Sequence, residues 1–241
     1  MLGLGSSISK GGSSETTPSD ISGLQIWYKN DTGVVAAQWD DSSGNGRHAV
    51  QATTNEQASV SGGGLSFDSA NPEDFYDVTE SGGYVDLGAA NPFTLSVVFK
   101  RDDAADNNTI FAGVAQNQYI AFLNEEYLTM RTTGTNEATA SAVFPTDTWV
   151  EDVQMLVTIT KDTSGNLLYF KNGVAITPDS GTFVNAGEIF VAKYFGSQHD
   201  GSVEADKHWD GIIYEVALYN TQLTGNNLTD LNQYLTSKFE L

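Results

Sequence analysis

Phe93-Thr94-Leu95-Ser96-Val97-Val98-Phe99 decides the fold class. In an extended chain successive side chains point to opposite faces, so Phe93, Leu95, Val97 and Phe99 share one face and belong in a core. Outward from this stretch, short β-rich runs recur with turn residues between them: Leu24 to Tyr28, Arg47 to Gln51, Gly64 to Phe67, Tyr84 to Leu87, Thr109 to Val114, Tyr119 to Leu123, Tyr127 to Thr132, Thr139 to Phe144, Val153 to Lys161, Glu188 to Ala192 and Gly211 to Tyr219. Many short strands with regular turns predict an all-β sandwich or barrel. Between Leu167 to Lys171 and Val174 to Ile176 lies Asn172-Gly173, a pair that tolerates positive φ at both positions and so predicts a tight hairpin. After Thr224, a plausible N-cap, the apolar residues Leu228, Leu231, Tyr234, Leu235 and Phe239 recur at helical spacing. They predict one amphipathic helix packed on the sandwich edge.

The 241 residues suit one large domain with a full hydrophobic core. Four Trp, ten Tyr and twelve Phe favour sheets. Residues 1–19 are mostly Gly, Ser and Thr and cannot bury enough apolar area to offset ordering entropy, so they are expected to form an arm ahead of a domain at 20–241. Leu2, Leu4 and Ile8 are its apolar side chains and the candidate contacts to a neighbour. The opening residues lack the continuous apolar stretch of a signal peptide, and nowhere do about 18 apolar residues run together as a membrane span needs.

Thirty-one acidic residues against 11 basic ones give a formal charge of -20. Such a field repels phosphate backbones and anionic lipid, so neither nucleic acid nor membrane is an expected partner. With no cysteine there is no disulfide framework, no thiolate metal site and no thiol nucleophile. Sequons at Asn30, Asn107 and Asn227 are expected to be chance matches.

Four segments resemble the concanavalin A-like lectin/glucanase superfamily in its laminin-G-like branch. Leu24 to Tyr28 leads to Trp39-Asp40-Asp41-Ser42-Ser43-Gly44-Asn45-Gly46-Arg47-His48-Ala49, which looks like that branch's opening strand and loop. Gly64 to Asp68 and Gly83 to Gly88 look like paired strands before Phe93 to Lys100, and Val157 to Asp162 with Leu168 to Val174 resembles the central hairpin. Trp209 to Asn220 with the terminal helix resembles the closing unit. The resemblance runs from residue 21 to the end and implies a jelly roll of two antiparallel sheets. The superfamily holds lectins, glycan hydrolases, adhesion modules and virion components, so fold alone does not settle function.

Glucanases of this fold carry E-x-D-x-(x)-E on a strand, giving two carboxylates across a cleft. Glu204-Ala205-Asp206 supplies two acids, lacks the third, and falls in what reads as a loop. No G-x-S-x-G elbow is present, His48, His199 and His208 lack zinc spacing, and Ser43-Gly44-Asn45-Gly46 lacks the Lys-Ser/Thr of a phosphate loop. No catalysis is therefore expected. Hard oxygen ligands for Ca²⁺ are offered by Asp200, Glu204, Asp206 and Asp210, and separately by Asp40, Asp41 and Asn45. A glycan site needs an exposed aromatic platform with hydrogen-bonding groups, for which Tyr194 and Trp209 are the candidates, while Trp27 and Trp39 are expected to be buried.

The opening Met1-Leu2-Gly3-Leu4-Gly5-Ser6-Ser7-Ile8 resembles the N-termini of structural proteins from marine bacteriophages. That resemblance, the arm and the acidity together imply a capsid decoration or tail-associated protein on the virion surface. Its partners would be other virion proteins, and a homo-oligomer is expected by analogy. The alternative is a carbohydrate-binding module for host-surface recognition.

Overall fold

The computed structural model describes residues 15–68, 74–88, 91–103, 108–115, 118–132, 139–181, 190–199 and 203–241, without the side chains of 139–141, 199 and 203–206. Its first strands are β1 (Leu24–Tyr28), β2 (Val34–Val35), β3 (Gln38–Trp39), β4 (Ala49–Val50), β5 (Ser59–Ser61), β6 (Gly64–Phe67) and β7 (Tyr76–Val78). Longer strands follow: β8 (Phe93–Arg101), β9 (Asn108–Ala112), β10 (Gln118–Phe122), β11 (Tyr127–Thr132), β12 (Thr139–Val143), β13 (Met155–Lys161) and β14 (Leu167–Lys171). The chain closes with β15 (Val174–Ile176), β16 (Tyr194–Phe195), β17 (Ser197–His199), β18 (Val203–His208), β19 (Gly211–Tyr219) and helix α1 (Gly225–Phe239).

Two antiparallel sheets face each other. The first runs β15-β14-β13-β8-β19-β6-β5, with β1 also on β19; the second runs β12-β11-β10-β9-β16-β7-β4-β3-β2. Phe93, Leu95, Val97 and Phe99 of β8 are fully buried between them, as their alternation predicts, together with Val157, Phe111, Phe122 and Phe195. Each such side chain contributes about 1.5–3 kcal/mol of burial. Asn172 and Gly173 have φ of 49° and 76°, the backbone of the predicted tight turn. The turn is locked onto β13, because Asn172 N–H donates to the Leu156 carbonyl at 2.9 Å and Asn172 Oδ1 accepts Leu156 N–H at 2.9 Å.

α1 does not lie on the sandwich edge as expected. It covers the outer face of the eight-stranded sheet, where Leu231, Tyr234 and Leu235 pack with Trp27, Val98, Leu156, Ala217 and Tyr219. The outward residues of the central strands decide this position: Val98, Leu156 and Ala217 are small or apolar, and Ser96 and Thr158 hydrogen-bond to each other at 2.8 Å. Thr158 then donates to Asn232 Oδ1 of the helix at 2.8 Å, so the polar seam under α1 has its partners. Thr224 has extended backbone angles suited to an N-cap but no capping side-chain hydrogen bond.

Glu215 is fully buried beneath the same helix, accepting from Trp27 Nε1 at 2.8 Å, from Asn30 N–H at 3.2 Å and from Lys238 Nζ at 2.5 Å. Its placement depends on a bulge. Ile213 pairs with Phe99 and Glu215 with Val98, so Tyr214 is an extra residue on β19. Before the bulge β19 pairs with β6, and after it with β1.

The expected strand at Tyr84 to Leu87 shrinks. Around Tyr84 to Leu87 the ladder is reduced to one bridge, Asp86 with Val191, although Ala192 N–H still reaches the Val85 carbonyl and Leu87 N–H the Phe190 carbonyl. The Asp86 carboxylate takes Gly88 N–H at 2.8 Å and Phe190 N–H at 3.1 Å, turning the chain where a longer strand would run straight. The expected strand from Glu188 overlaps residues outside those described. At the N-terminal end the first packed residue is Pro18, buried at the start of a 3-10 turn, with its carbonyl accepting from Tyr219 Oη at 3.0 Å.

Candidate functional site

The outer face of the nine-stranded sheet carries a row of side chains fixed by strand register. Arg131 pairs with Tyr119, Tyr119 with Ala112, Ala112 with Tyr194, and Tyr194 with Asp77. Residues in register point to the same face. Because Phe195 and Phe111 turn into the core, Tyr194 and Ala112 turn out, where Tyr119, Ala112 and Ala121 form a small apolar cluster with Leu123 and Tyr194 against it.

Around the half-buried Tyr194 ring stand its neighbour Lys193 and groups from two other segments, Tyr84 and Phe75 with Asp77. Lys193 Nζ lies 4.9 Å from the Tyr194 ring centroid and 5.4 Å from that of Tyr84, and it donates to Tyr84 Oη at 3.4 Å. Asp77 Oδ1 is 3.7 Å from Lys193 Nζ. Phe75 meets Tyr194 edge-on at 6.5 Å. Burial works against the Lys193 charge, but Tyr194, Tyr84 and Asp77 outweigh it and hold the ammonium pKa above its ordinary value. Burial raises the Tyr194 phenol, so it stays a neutral donor and acceptor. An ion pair this exposed is worth about 0–1 kcal/mol and an exposed cation–π contact about 0.5–1 kcal/mol, so a ligand can replace either at little cost. Chemically the cluster offers an aromatic surface flanked by a carboxylate, an ammonium and two phenols.

Of the two expected aromatic platforms, only Tyr194 is accessible. Trp209 is fully buried, with its ring 5.2 Å from Phe99 and 6.1 Å from Phe122, because it turns into the core two residues ahead of β19 rather than toward the acidic segment beside it. Trp27 and Trp39 are buried, as expected.

The acidic stretch read as a loop is largely a β-hairpin, β17 paired with β18. Asp200 lies outside the described residues, and Glu204 and Asp206 lie on β18 without described side chains. Asp210 is half-buried, its N–H donating to Asn108 Oδ1 at 2.9 Å and its carbonyl accepting from Asp102 N–H at 3.1 Å. Among the described residues no three His, Asp or Glu side chains are placed to hold a metal ion.

The second expected Ca²⁺ set has another task. Asp41 Oδ1 accepts Trp27 N–H and Ser43 N–H, each at 2.9 Å, while Oδ2 accepts Ser43 Oγ at 2.7 Å and Arg47 N–H at 3.0 Å. Asn45 Nδ2 donates to the Leu24 carbonyl at 3.0 Å. Both carboxylate oxygens are thus occupied by protein donors, and the loop is a staple between β1 and β4. Gly44 and Gly46, at φ of 87° and 72°, make the turn that the staple needs. Asn30 is nearly buried with its Nδ2 on the Gly62 carbonyl at 2.9 Å, so its sequon is not open to an enzyme.

Two facing antiparallel sheets, a helix on one outer face and an aromatic cluster on the other define a lectin-like sandwich. The chain belongs to the concanavalin A-like lectin/glucanases superfamily, whose laminin-G family profile matches residues 77–229. Solved structures share the fold. A structure of botulinum neurotoxin type C, whose cell entry is described as dependent on interaction with two ganglioside molecules, is similar with TM-score 0.60 at 14% identity over 88% of this chain and 51% of that one. The binding domain of botulinum neurotoxin DC in complex with rat synaptotagmin II is similar with TM-score 0.58 at 13% identity, over 88% of this chain and 52% of that one. Trypanosoma rangeli sialidase in complex with sialic acid gives TM-score 0.53 at 14% identity, over 90% of this chain and 33% of that one. The chain therefore spans about half the length of the toxin chains (51% and 52%) and a third of the sialidase (33%), and at such identities the likeness is one of fold. No curated protein sequence matches.

Proposed function

We propose that this chain is a non-enzymatic binding module that takes a glycan on the outer face of its nine-stranded sheet. The observation that carries this function is the Tyr194, Tyr84, Lys193 and Asp77 cluster: partly exposed rings to stack on a sugar face, with hydrogen-bonding groups at their edge. The net charge of -20 favours a neutral sugar over an anionic one. A glycan array followed by titration calorimetry tests it. Binding should fall at least tenfold in Tyr194→Ala; a silent array, or affinity indifferent to that change, sinks the proposal. Incubation with the bound glycan should give no hydrolysis, and turnover lost in Glu204→Gln or Asp206→Asn would make the chain a glycosidase instead.

A second function, a decoration or tail-associated protein of a bacteriophage particle, is favoured by one arrangement. The packed chain starts at Pro18 against Tyr219, on the face that α1 covers, whereas the Tyr194 cluster lies on the opposite sheet. An arm leaving there can tether the domain to a particle through Leu2, Leu4 and Ile8 while the glycan face points away. Full-length protein should bind purified particles and a chain lacking residues 1–14 should not; equal binding by both removes the tether.

A further inference from the structure

α1 leaves part of its own sheet uncovered. Between the helix and the β14–β15 hairpin lies a groove of about 310 Å³, within the range of about 300–1,000 Å³ that small-ligand sites occupy. Phe170, Asn172 and Val174 wall it on the hairpin side and Leu228, Asn232 and Gln233 on the helix side. None of its lining residues carries a charge, in a protein of net charge -20. Both walls are fixed to a common floor, β13. Asn172 Oδ1 accepts Leu156 N–H at 2.9 Å, and Asn232 Oδ1 accepts from Thr158 Oγ1 at 2.8 Å. A Cβ built on Gly173 would stand 3.6 Å from Asn232 Cβ, so the hairpin turn and the helix meet there.

Those two bonds also prepare the groove for a ligand. A side-chain amide has an acceptor oxygen and a two-proton nitrogen, and here both oxygens are engaged by β13. The Asn172 and Asn232 NH₂ groups have no acceptor among the described residues, and the bonds to the oxygens fix their orientation. Asn232 is only 6% exposed, so water serves its NH₂ poorly and a ligand oxygen entering the groove gains a desolvated donor. Leu156 and Thr158, which anchor the two amides, are two residues apart on one strand, about 7 Å, close enough for one ligand to reach both. Phe170 supplies apolar surface beside them. It pairs with Thr158 across β13 and β14 and so shares the outer face of Thr158, and its half-buried ring meets no other aromatic ring among the described residues.

We infer that this groove is a second saccharide site, which takes an uncharged oligosaccharide with a ring face on Phe170 and its oxygens on the Asn172 and Asn232 amides. Fixed donors without a charge select an uncharged ligand rich in acceptor oxygens. An anion would find no cation there and would face the negative field of the domain, while a purely apolar ligand would leave a nearly buried donor unpaired. The Tyr194 cluster lies on the other sheet, so the inference does not rest on it. Occupied together, sites on opposite outer faces would let one domain link two glycan chains.

The test uses full-length Tyr194→Ala protein, which lacks the platform on the other sheet, on an array of uncharged glycans. The strongest hit is then titrated by calorimetry and followed by amide chemical shifts. Binding should survive, with shifts concentrated at 170–174 and 228–236. Asn172→Asp keeps an oxygen to accept from Leu156 and replaces the NH₂ by a second oxygen, so on this background it should cut affinity at least tenfold while melting close to its parent. Phe170→Val, which removes the ring and suits a strand, should do the same. A silent Tyr194→Ala array overturns the inference, as do shifts confined to another face or affinity unchanged by both variants. Binding by the parent that is lost altogether in Tyr194→Ala leaves the first site standing and removes this one; hits indifferent to Tyr194→Ala and lost in Asn172→Asp do the reverse.

Discussion

Replacing Glu215 tests whether the buried carboxylate holds α1 and β1 to the sheet. In Glu215→Ala, Trp27 Nε1 and Asn30 N–H lose their acceptor in a site closed to water. Each unsatisfied buried donor costs about 1–3 kcal/mol. The Lys238 side chain is 25% exposed and can turn to solvent, so its lost ion pair adds less than the 3–5 kcal/mol of a fully buried pair. The two donors alone sum to about 2–6 kcal/mol. For a chain of this length each kcal/mol moves the thermal midpoint by about 2–4 °C, so Glu215→Ala should melt roughly 4–24 °C lower. Glu215→Gln keeps one acceptor oxygen but sets an amide NH₂ against the donors that the other oxygen served, Trp27 Nε1 or Asn30 N–H with Lys238, so its midpoint should also fall below the parent's. Circular dichroism melts of the three proteins give the comparison, and Trp27 emission should shift in step. An Ala variant within about 1 kcal/mol of the parent would refute the clamp.

Other changes probe the frame. Gly64→Ala should be severely destabilising, because a Cβ there meets the Ile213 carbonyl and the backbone of Tyr214, which cannot give way; soluble yield and melting temperature report it. Asp41→Asn should lower stability equally with and without added Ca²⁺, since protein donors fill the carboxylate; a Ca²⁺-dependent difference would assign it to a metal. Lys161 is fully enclosed with its Nζ on the Leu87 carbonyl at 2.6 Å, and burial pulls its pKa down to about 8. Folding then releases its proton between about pH 8 and the ordinary lysine value near 10.4, so stability gains with rising pH across that window and not below it. The stability difference between the parent and Lys161→Met should follow that slope; a flat difference would mean that the ammonium titrates normally.

Legibility in the sequence followed the range of the interaction responsible. β8, the Asn172-Gly173 turn and α1 rest on local rules of alternation, positive φ and helical spacing, and each forms over the residues those rules select, although the face α1 packs on is set by the sheet beneath it. The two-residue strands β2, β3 and β16 have no period of their own and exist only because partners hold them in register. β17 and β18 hide in an acid-rich stretch whose residues are poor strand formers. Trp209 is drawn inward by Phe99 and Phe122, neither of them near it in sequence. The candidate site shows the same divide. Tyr194 could be found from type and neighbourhood, but Asp77 and Tyr84 join it from distant segments through pairings that no local pattern announces.

The extra residue at Tyr214 acts like a frameshift inside β19. Ahead of it Ile213 faces the core; beyond it Val216 and Leu218 do, while Ala217 and Tyr219 look to the helix. Without the insertion the odd positions would continue inward, sending Glu215 into the apolar core and Val216 beneath α1. This strand therefore reads in two phases. Exchanging the side chain at Tyr214 should be tolerated far better than removing the residue, since deletion would transpose the two faces of the strand that both sheet partners share.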